Sequence, residues 1–327
     1  MSSRECTFAS KPSSTPDSLP LSSPSPSSSS KQSPKGDINL THMELLLHLT
    51  STKEIFSLGD GLEPYSTGVT FALKTGLHSP YLFYELLAFS ACHLAYLSSS
   101  QADNYLHQAI TLQTRAISLF NVEKLQVTQS NCVAILLFTV VLGHHLLADT
   151  LRKRDFESLT SFLDHYIQCA ATHRGIFTVL TEAKPLLMET ELSPVLSRSV
   201  SFTSSQPKGH YCDRLSTLIH MSPTLTYEEK IACHSAIRYL QLGFDALIAP
   251  ADAESTRYQM LFLWTVVVPP EFMALVARKK PEALVIFAYY ARLLCRGRHI
   301  WQVGEAGVYI FDLVKGELGH MWDRWLE

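Results

Sequence analysis

Hydrophobic residues recur every three or four positions along most of this 327-residue chain. One such stripe runs through Tyr105, Ala109, Leu112, Ala116 and Leu119. This spacing places the side chains on one face of an α-helix, whereas a half-buried strand would show strict alternation. No alternating run of any length is found in the sequence. The pattern therefore predicts an all-α fold, a compact multi-helix domain in which short turns join antiparallel neighbours.

Start signals refine where these helices begin. Thr41 and Glu44 match a capping box at the start of the first helix, and Thr226 and Glu229 match the same pattern further along the chain. Ser79, just before a proline, is placed as a helix N-cap. The predicted helices are 41–56, 80–97, 101–120, 129–147, 156–180, 184–196, 211–219, 226–248 and 282–295, and the predicted loops are 59–68 and 197–210.

Segment 261–327 contains all four tryptophans and is the part around which the rest is expected to fold. Its stretch 282–295 is apolar almost all round, and a helix of that kind either spans a membrane or lies in the centre of a core. A bilayer requires about 20 residues, so this shorter stretch is predicted to be a core helix. Pro281 fits its first position, and Gly297 is placed as a left-handed cap after its end.

Two other apolar stretches resemble membrane spans in their composition. Stretch 80–97 is long enough, but it contains Glu85 and His93. A carboxylate at the centre of a bilayer costs roughly 2.5–3.5 kcal/mol. Stretch 132–143 is too short. We therefore expect no membrane span.

Composition divides the chain into two parts. Residues 1–38 are mostly Ser and Pro, which bury too little apolar surface to offset chain entropy, and are predicted to be a disordered linker. Residues 39–327 are predicted to form the folded domain, since 46% hydrophobic content supports a large core. The net charge of −3 disfavours a protein whose whole surface binds nucleic acid.

Neither a catalytic nor a metal-binding pattern emerges from the residues. The seven cysteines are scattered without a C-x-x-C pair, which is typical of buried, reduced thiols. Nucleophile-elbow, dinucleotide-binding and P-loop motifs are missing from the sequence, so we expect no enzyme, no metal site and no cofactor. His144 and His145 are adjacent, point about 100° apart on a helix and are expected at a helix end. His93 is expected to be a hydrogen-bonded core histidine.

Two blocks of the sequence resemble a known family. The first block has the pattern P-x-L-x4-LA-x-SA-x-HLAYL, and the second reads W-x4-P-x-x-F, P-x-ALVI-x-A-x-YA-x-LL and LG-x-x-W-x-x-WL. The matching residues are Pro80, Leu82, Leu87, Ala88, Ser90, Ala91, His93 to Leu97, Trp264, Pro269, Phe272, Pro281, Ala283 to Ile286, Ala288, Tyr290, Ala291, Leu293, Leu294, Trp301, Gly304, Leu318, Gly319, Trp322, Trp325 and Leu326. This set resembles the fungal-specific transcription-factor regulatory domain of zinc binuclear cluster (Zn2Cys6) regulators, in the sterol-uptake control subgroup. Glu305 departs from the family, which usually has Trp there.

The resemblance implies the effector domain of a transcription regulator, acting in the nucleus, with the cytoplasm as the alternative location. Its implied partners are co-regulators or the transcription machinery, with a homodimer left open, and its implied target genes belong to a sterol or secondary-metabolite pathway. It also implies a pocket for an apolar, sterol-like ligand. Because such pockets are lined by aromatic side chains, we place it at Trp264, Tyr289, Tyr290 and Trp301. The alternative function is an all-α protein–protein interaction scaffold without DNA binding.

Cys6, between Arg4 and Phe8, resembles the end of a zinc binuclear cluster. Two zinc ions require several thiolate ligands, and one cysteine cannot supply them. The chain as given therefore lacks a complete cluster. Zinc and DNA binding are expected only of a longer form that carries the missing N-terminal module.

Overall fold

The computed structural model describes residues 38–56, 65–122, 126–249 and 256–327. Within these ranges all regular secondary structure is helical and no strand is present, which confirms the all-α prediction. Short 3₁₀ turns also occur at Lys53–Phe56 and His320–Trp322. The helices are α1 (Leu40–Ser51), α2 (Tyr65–Leu77), α3 (Pro80–Leu97), α4 (Ala102–Val122), α5 (Cys132–Arg152), α6 (Leu159–Leu187), α7 (Ser193–Ser204), α8 (Asp213–Met221), α9 (Tyr227–Leu247), α10 (Gln259–Val267), α11 (Pro270–Ala277), α12 (Pro281–Arg296), α13 (Ala306–Leu318) and α14 (Asp323–Leu326).

Local signals for helix starts were correct in some places and wrong in others. The capping box before α9 is confirmed, because the Glu229 N–H donates to Thr226 Oγ1 over 3.2 Å and the Thr226 N–H donates to Glu229 Oε2 over 2.9 Å. The capping box predicted at Thr41 is wrong. Helix α1 begins one residue earlier, at Leu40, and Asn39 Oδ1 accepts from the His42 N–H.

The predicted caps of α3 and α12 also differ from the structure. Ser79 precedes α3 as expected, but its side chain makes no capping hydrogen bond. Gly297 follows α12 with φ −100°, so it is not a left-handed cap. Its N–H still donates to the Leu294 carbonyl and closes the last turn.

The segment predicted as a loop at 197–210 is helical up to Ser204, in α7. Tertiary contacts explain this result. Phe202 packs against the large C-terminal core, and the Arg238 guanidinium donates to the carbonyls of Thr203 and Ser205 at the end of α7. These bonds satisfy carbonyls that a helix end leaves open.

Two other boundaries depart from the prediction. Helix α6 continues as far as Leu187 and includes Pro185, where two shorter helices were expected. Buried Ala183 and Leu187 pack there with Cys132 and Leu136 of α5, so burial favours continuation. Helix α2 occupies the end of the loop predicted at 59–68, whose earlier residues lie outside the described ranges.

Residues 39–327 form one compact unit, and its core has two main parts. The N-terminal cluster comprises buried residues of α1 to α5, from Leu45 to Ala148, together with Trp301. The C-terminal cluster runs from Leu147 to Leu326. Helix α5 contributes to both clusters and therefore joins them. The predicted linker 1–38 lies outside the described residues, apart from Ile38.

Helix α12 lies at the centre of the C-terminal cluster, as its all-round apolar sequence predicted. Every residue from Glu282 to Ala291 is buried. The carboxylate of Glu282 accepts hydrogen bonds from the hydroxyls of Ser222 and Thr224, over 2.5 and 2.8 Å. The core helix can therefore begin with a buried acid, because one of its carboxylate oxygens accepts two hydrogen bonds.

The chain bends by 90° between α10 and α11. Consecutive prolines, Pro269 and Pro270, stop α10 and start the next helix. The Arg174 guanidinium donates to the carbonyls of Thr265 and Val268, over 3.3 and 3.1 Å, at the end of α10. A cation there also suits the negative end of the helix dipole.

In the described part of the chain, one helix, α5, has the length and apolar composition needed to cross a membrane. The bent pair α10–α11 would be a second if it counted as one span. Helix α5 is longer than the stretch judged too short from sequence, since it continues through His144 and His145 to Arg152. Its apolar window is 72% buried inside the fold, as in a core helix, which is consistent with the expectation of no membrane span.

Candidate functional site

Trp264 and Tyr290, two of the four predicted ligand-contacting residues, stack on each other inside the C-terminal cluster. Their ring centroids are 4.3 Å apart and both side chains are fully buried. Trp264 Nε1 donates to the Ala236 carbonyl over 3.2 Å, and the Tyr290 hydroxyl donates to the Leu261 carbonyl over 2.7 Å. Their polar atoms are therefore already used in holding α10 and α12 against the core.

Trp301 lies in the other core. It packs against Phe89 and His93 of α3, with ring centroids 5.4 and 4.7 Å apart, and its Nε1 donates to the Ile55 carbonyl over 3.0 Å. The adjacent Gln302 Nε2 donates to the same carbonyl over 3.2 Å. The loop after α12 thus inserts into the N-terminal cluster.

Tyr289 points away from Tyr290, as adjacent residues on a helix do. Its ring meets the edge of Tyr211 at 5.9 Å, and Arg292 lies over its face. The structure therefore brings together Trp264 and Tyr290 but does not bring them to Tyr289 or Trp301. Neither of the two clefts described next has any of the four in its lining.

The larger cleft, hereafter the aromatic cleft, has a volume of about 490 Å³, within the usual range of small-molecule sites. It lies between the loop before α8, the end of α9, the residue before α10 and the last residue of α12. Its lining residues are Gly209, His210, Tyr211, Gln241, Phe244, Asp245, Leu247, Ile248, Tyr258 and Arg296.

Aromatic rings form much of its wall. Tyr211 and Phe244 lie 3.9 Å apart between ring centroids, and Tyr258 meets His299 edge-on at 4.9 Å. Tyr289 stands directly behind Tyr211. The predicted residue Tyr289 therefore supports the wall of the aromatic cleft without lining it.

The cleft contains one acid, Asp245, whose carboxylate oxygens already accept hydrogen bonds from three neutral donors. Asp245 accepts from the N–H of Lys208 over 2.7 Å and from the N–H of Gly209 over 3.1 and 3.2 Å. Gln241 Nε2 donates to it over 2.7 Å, while Gln241 Oε1 accepts from the Cys212 N–H. This network fixes the loop before α8 against α9 and so shapes one wall of the cleft.

A second, smaller groove of about 210 Å³ lies between α1, α2 and α3. His42, Leu77, Phe83 and Tyr84 contribute to its lining. Its volume is below the range of about 300–1,000 Å³ in which small-molecule sites usually fall. The aromatic cleft is therefore the better candidate site.

His144 and His145 lie in the middle of α5 and are buried, so the prediction that they mark a helix end is wrong. His144 Nδ1 pairs with Gln302 Oε1 and His145 Nδ1 pairs with Glu85 Oε1, each over 2.9 Å. The two rings contact different elements because adjacent helix positions diverge by about 100°.

His145, Glu85 and Cys92 form a polar group inside the N-terminal cluster. Burial opposes the charged imidazole, but hydrogen bonds to the Cys92 thiol and the Glu85 carboxylate, and the Glu85 charge, raise the pKa of His145 to about 10. The side chain of Glu85 is 0% exposed, Cys92 is 2% and His145 is 5%. An external substrate cannot reach these groups in this conformation, so the arrangement serves to link α3 to α5.

His93 is a hydrogen-bonded core histidine, as predicted, with Nδ1 3.0 Å from His48 Nε2. Burial, then the neighbouring His48 and Arg152, lowers the pKa of His93 to about 4. Across the described ranges, no three His, Cys, Asp or Glu side chains are placed to hold a metal ion. Cys6 lies outside those ranges.

The lining residues Tyr211, Phe244, Tyr258 and Arg296 were missed from the sequence. They come from four segments that are distant along the chain, and no local spacing connects them. Arg296 follows the helix predicted at 282–295, where a basic residue suits the negative end of the helix dipole, so its position in the sequence does not indicate a ligand site.

The chain matches no protein-family model and no curated protein.

Proposed function

We propose that residues 39–327 are the ligand-sensing effector domain of a transcription regulator, and that they act without catalysing a reaction. The aromatic cleft is the observation on which this proposal rests, because it is a cavity of suitable volume with aromatic walls beside Tyr289. The sequence resemblance adds support, since its two blocks fall on α3 and on α10 to α14, in both core clusters.

The proposed ligand is an apolar small molecule, with sterols and related lipids as the first class to test. A thermal-shift screen of the full chain is the direct experiment. A ligand that binds only the native state at a hundredfold excess over Kd stabilises it by about 2.7 kcal/mol, which raises Tm by several degrees. Leu247→Trp, which fills the cleft from α9, should abolish the shift. A shift that survives in Leu247→Trp would place the ligand elsewhere.

The regulatory half of the proposal has its own test. The full chain, fused to an unrelated DNA-binding domain, should change expression of a reporter gene through co-regulators or the transcription machinery. A fluorescent tag should place the chain in the nucleus. A fusion with no effect on the reporter in any growth condition would contradict the proposal.

DNA contact is proposed only for a longer form with a complete zinc module. The chain as given should show no sequence-dependent binding in a gel-shift titration at physiological salt. Nanomolar, sequence-dependent binding would refute this part of the proposal.

A protein-interaction scaffold is the second candidate function. Three apolar residues on the outer face of α1 favour it: Leu40 is 77% exposed, Leu47 68% and Met43 is also exposed. Such a surface is typical of a contact with another protein, and a homodimer is one form of that contact. Sedimentation of the full chain and of Leu47→Glu would test it, since loss of a dimer in the variant would locate the interface.

A further inference from the structure

Three side chains of the aromatic cleft have hydrogen-bond donors without a described partner. Arg296 is exposed and forms no ion pair or hydrogen bond with any residue in the described ranges. The hydroxyls of Tyr211 and Tyr258 are likewise without a described hydrogen-bond partner. Guanidinium groups donate only, so these groups together suit a ligand that brings acceptors.

The acceptor oxygens of Asp245 and Gln241 in the same cleft are already occupied. A carboxylate has about four lone-pair sites, and Asp245 receives donors from Lys208, Gly209 and Gln241. Gln241 Oε1 accepts from the Cys212 N–H. A ligand that brought hydrogen-bond donors would find these side-chain acceptors engaged.

The helix ends at the cleft favour a cation and so oppose an anionic ligand. The carbonyl ends of α9 and α12 lie there, and a helix C-terminus favours a cation with about half an elementary charge. Several of these carbonyls are bonded, to the N–H groups of Ile248, Ala249 and Gly297. Asp245 and the two helix ends therefore oppose an anion, and the acid preference rests on hydrogen bonding: Arg296 has free donors, whereas the Asp245 and Gln241 acceptors are occupied.

The aromatic walls of the cleft indicate the chemistry of the uncharged part of the ligand. The exposed ring of Tyr211 packs at a tilt against Phe244 and lies within the same lining as Tyr258 and Leu247. A flat apolar group can stack on such rings at a centroid distance of about 4.5–7 Å.

We propose that the aromatic cleft binds a small aromatic carboxylic acid, with its ring against Tyr211 and Tyr258 and its carboxylate at Arg296. This inference rests on the ligand-binding half of the proposed function, and it adds a carboxylate to a ligand whose apolar part is an aromatic ring. Arg296 then acts as the residue that selects for charge, while the rings supply most of the contact area.

The test compares four probes by isothermal titration of the full chain: 2-naphthoate, the neutral 2-naphthamide, the cationic 2-naphthylmethylammonium and the aliphatic octanoate. We expect 2-naphthoate to bind more tightly than the other three. Arg296 is exposed, and exposed ion pairs contribute little, so its preference over 2-naphthamide should be about two- to fivefold. High salt should reduce that preference.

Three variants test whether the preference for 2-naphthoate depends on Arg296 and on the aromatic cleft. Arg296→Gln should remove the preference for 2-naphthoate over 2-naphthamide, and Arg298→Gln, an exposed arginine outside the lining, should keep it. Leu247→Trp should abolish binding of both probes. Circular dichroism of each variant verifies that the helices are retained.

Several results would overturn the inference. They are equal binding of 2-naphthoate and 2-naphthamide, tighter binding of the cation, equal binding of octanoate, no binding of 2-naphthoate, or a preference that persists in Arg296→Gln. Equal binding of the two naphthyl probes that Leu247→Trp abolishes would refute the acid preference while supporting a ligand site in the cleft. A sterol that raises Tm while 2-naphthoate fails to bind would likewise refute only the narrower inference.

Discussion

The carbonyl of Ile55 offers a sharp test of how the two core clusters are joined. Trp301 Nε1 and Gln302 Nε2 both donate to this oxygen, over 3.0 and 3.2 Å. Trp301→Phe removes the first donor and keeps an aromatic ring. Gln302→Met removes the second and keeps the length of the side chain.

Each single variant leaves the carbonyl with one of these two described donors, and the double variant leaves it with neither. A typical hydrogen bond contributes about 0.5–1.5 kcal/mol, whereas a buried acceptor with no partner costs about 1–3 kcal/mol. The double variant should therefore lose about 1 kcal/mol more than the sum of the singles. The four proteins form a double-mutant cycle. Trp301→Phe leaves a small cavity and Gln302→Met removes the partner of His144, in the single and in the double variant alike. Both effects therefore cancel when the single losses are subtracted from the double loss.

Urea unfolding followed by circular dichroism gives the four free energies of unfolding, summed over two transitions if the clusters unfold separately. Thr226→Ala, which removes the cap of α9, serves as the control. Thr226→Ala should lower the free energy of unfolding by about 1 kcal/mol, and this loss should be additive with that of Trp301→Phe. Additivity within about 0.5 kcal/mol for Trp301→Phe with Gln302→Met would refute the shared-acceptor reasoning.

Three further outcomes follow from the packing and the charges. Phe287→Ala should lower the free energy of unfolding by about 3–5 kcal/mol, since the ring is fully buried, and a loss below about 1 kcal/mol in urea unfolding would show that α12 is peripheral. Gly143→Ala places a Cβ 2.2 Å from His173 Nε2 and should destabilise the fold by about 1–3 kcal/mol. In the control Gly316→Ala the new Cβ meets nothing within 4 Å, so this variant should be more stable than wild type by up to about 1 kcal/mol. A higher melting temperature for Gly143→Ala than for Gly316→Ala would contradict this. The pKa of His145 is raised to about 10, so the stabilisation by its charge is fully present below about pH 6.5 and is lost as pH rises through 10. The difference in the free energy of unfolding between wild type and His145→Gln should therefore narrow between those two pH values. A constant difference would mean that the imidazole is neutral.

Local and periodic features of the fold could be predicted from the sequence. Helix α3 has the predicted bounds, from Pro80 to Leu97, because a proline marks its start and its face is continuously apolar. The capping box at Thr226 is confirmed because both partners lie within one turn. Helix α7 could not be foreseen, since the contact that stabilises its end comes from Arg238, which is distant in sequence.

The candidate site was harder to predict than the fold. Aromatic density marked the region around Trp264 and Tyr290, but density alone does not separate a filled core from a cavity wall. These two rings stack in the core, and their polar atoms bond to backbone carbonyls. The cleft residues Tyr211 and Arg296 belong to separate elements that only the tertiary fold brings together.

Trp301 also has a consequence for the timing of synthesis. The N-terminal cluster contains an indole that follows Ile55 by 246 residues. At a translation rate of 5–20 residues per second, the ribosome makes that intervening chain in about 12–50 s. For the last 149 of these residues, about 7–30 s, α1, α3 and α5 are all present without the ring that fills their core, so the apolar faces around His93 remain open to chaperones. We therefore expect the nascent chain to stay chaperone-bound until its last helices emerge, and the first half to be the part most exposed to misassembly.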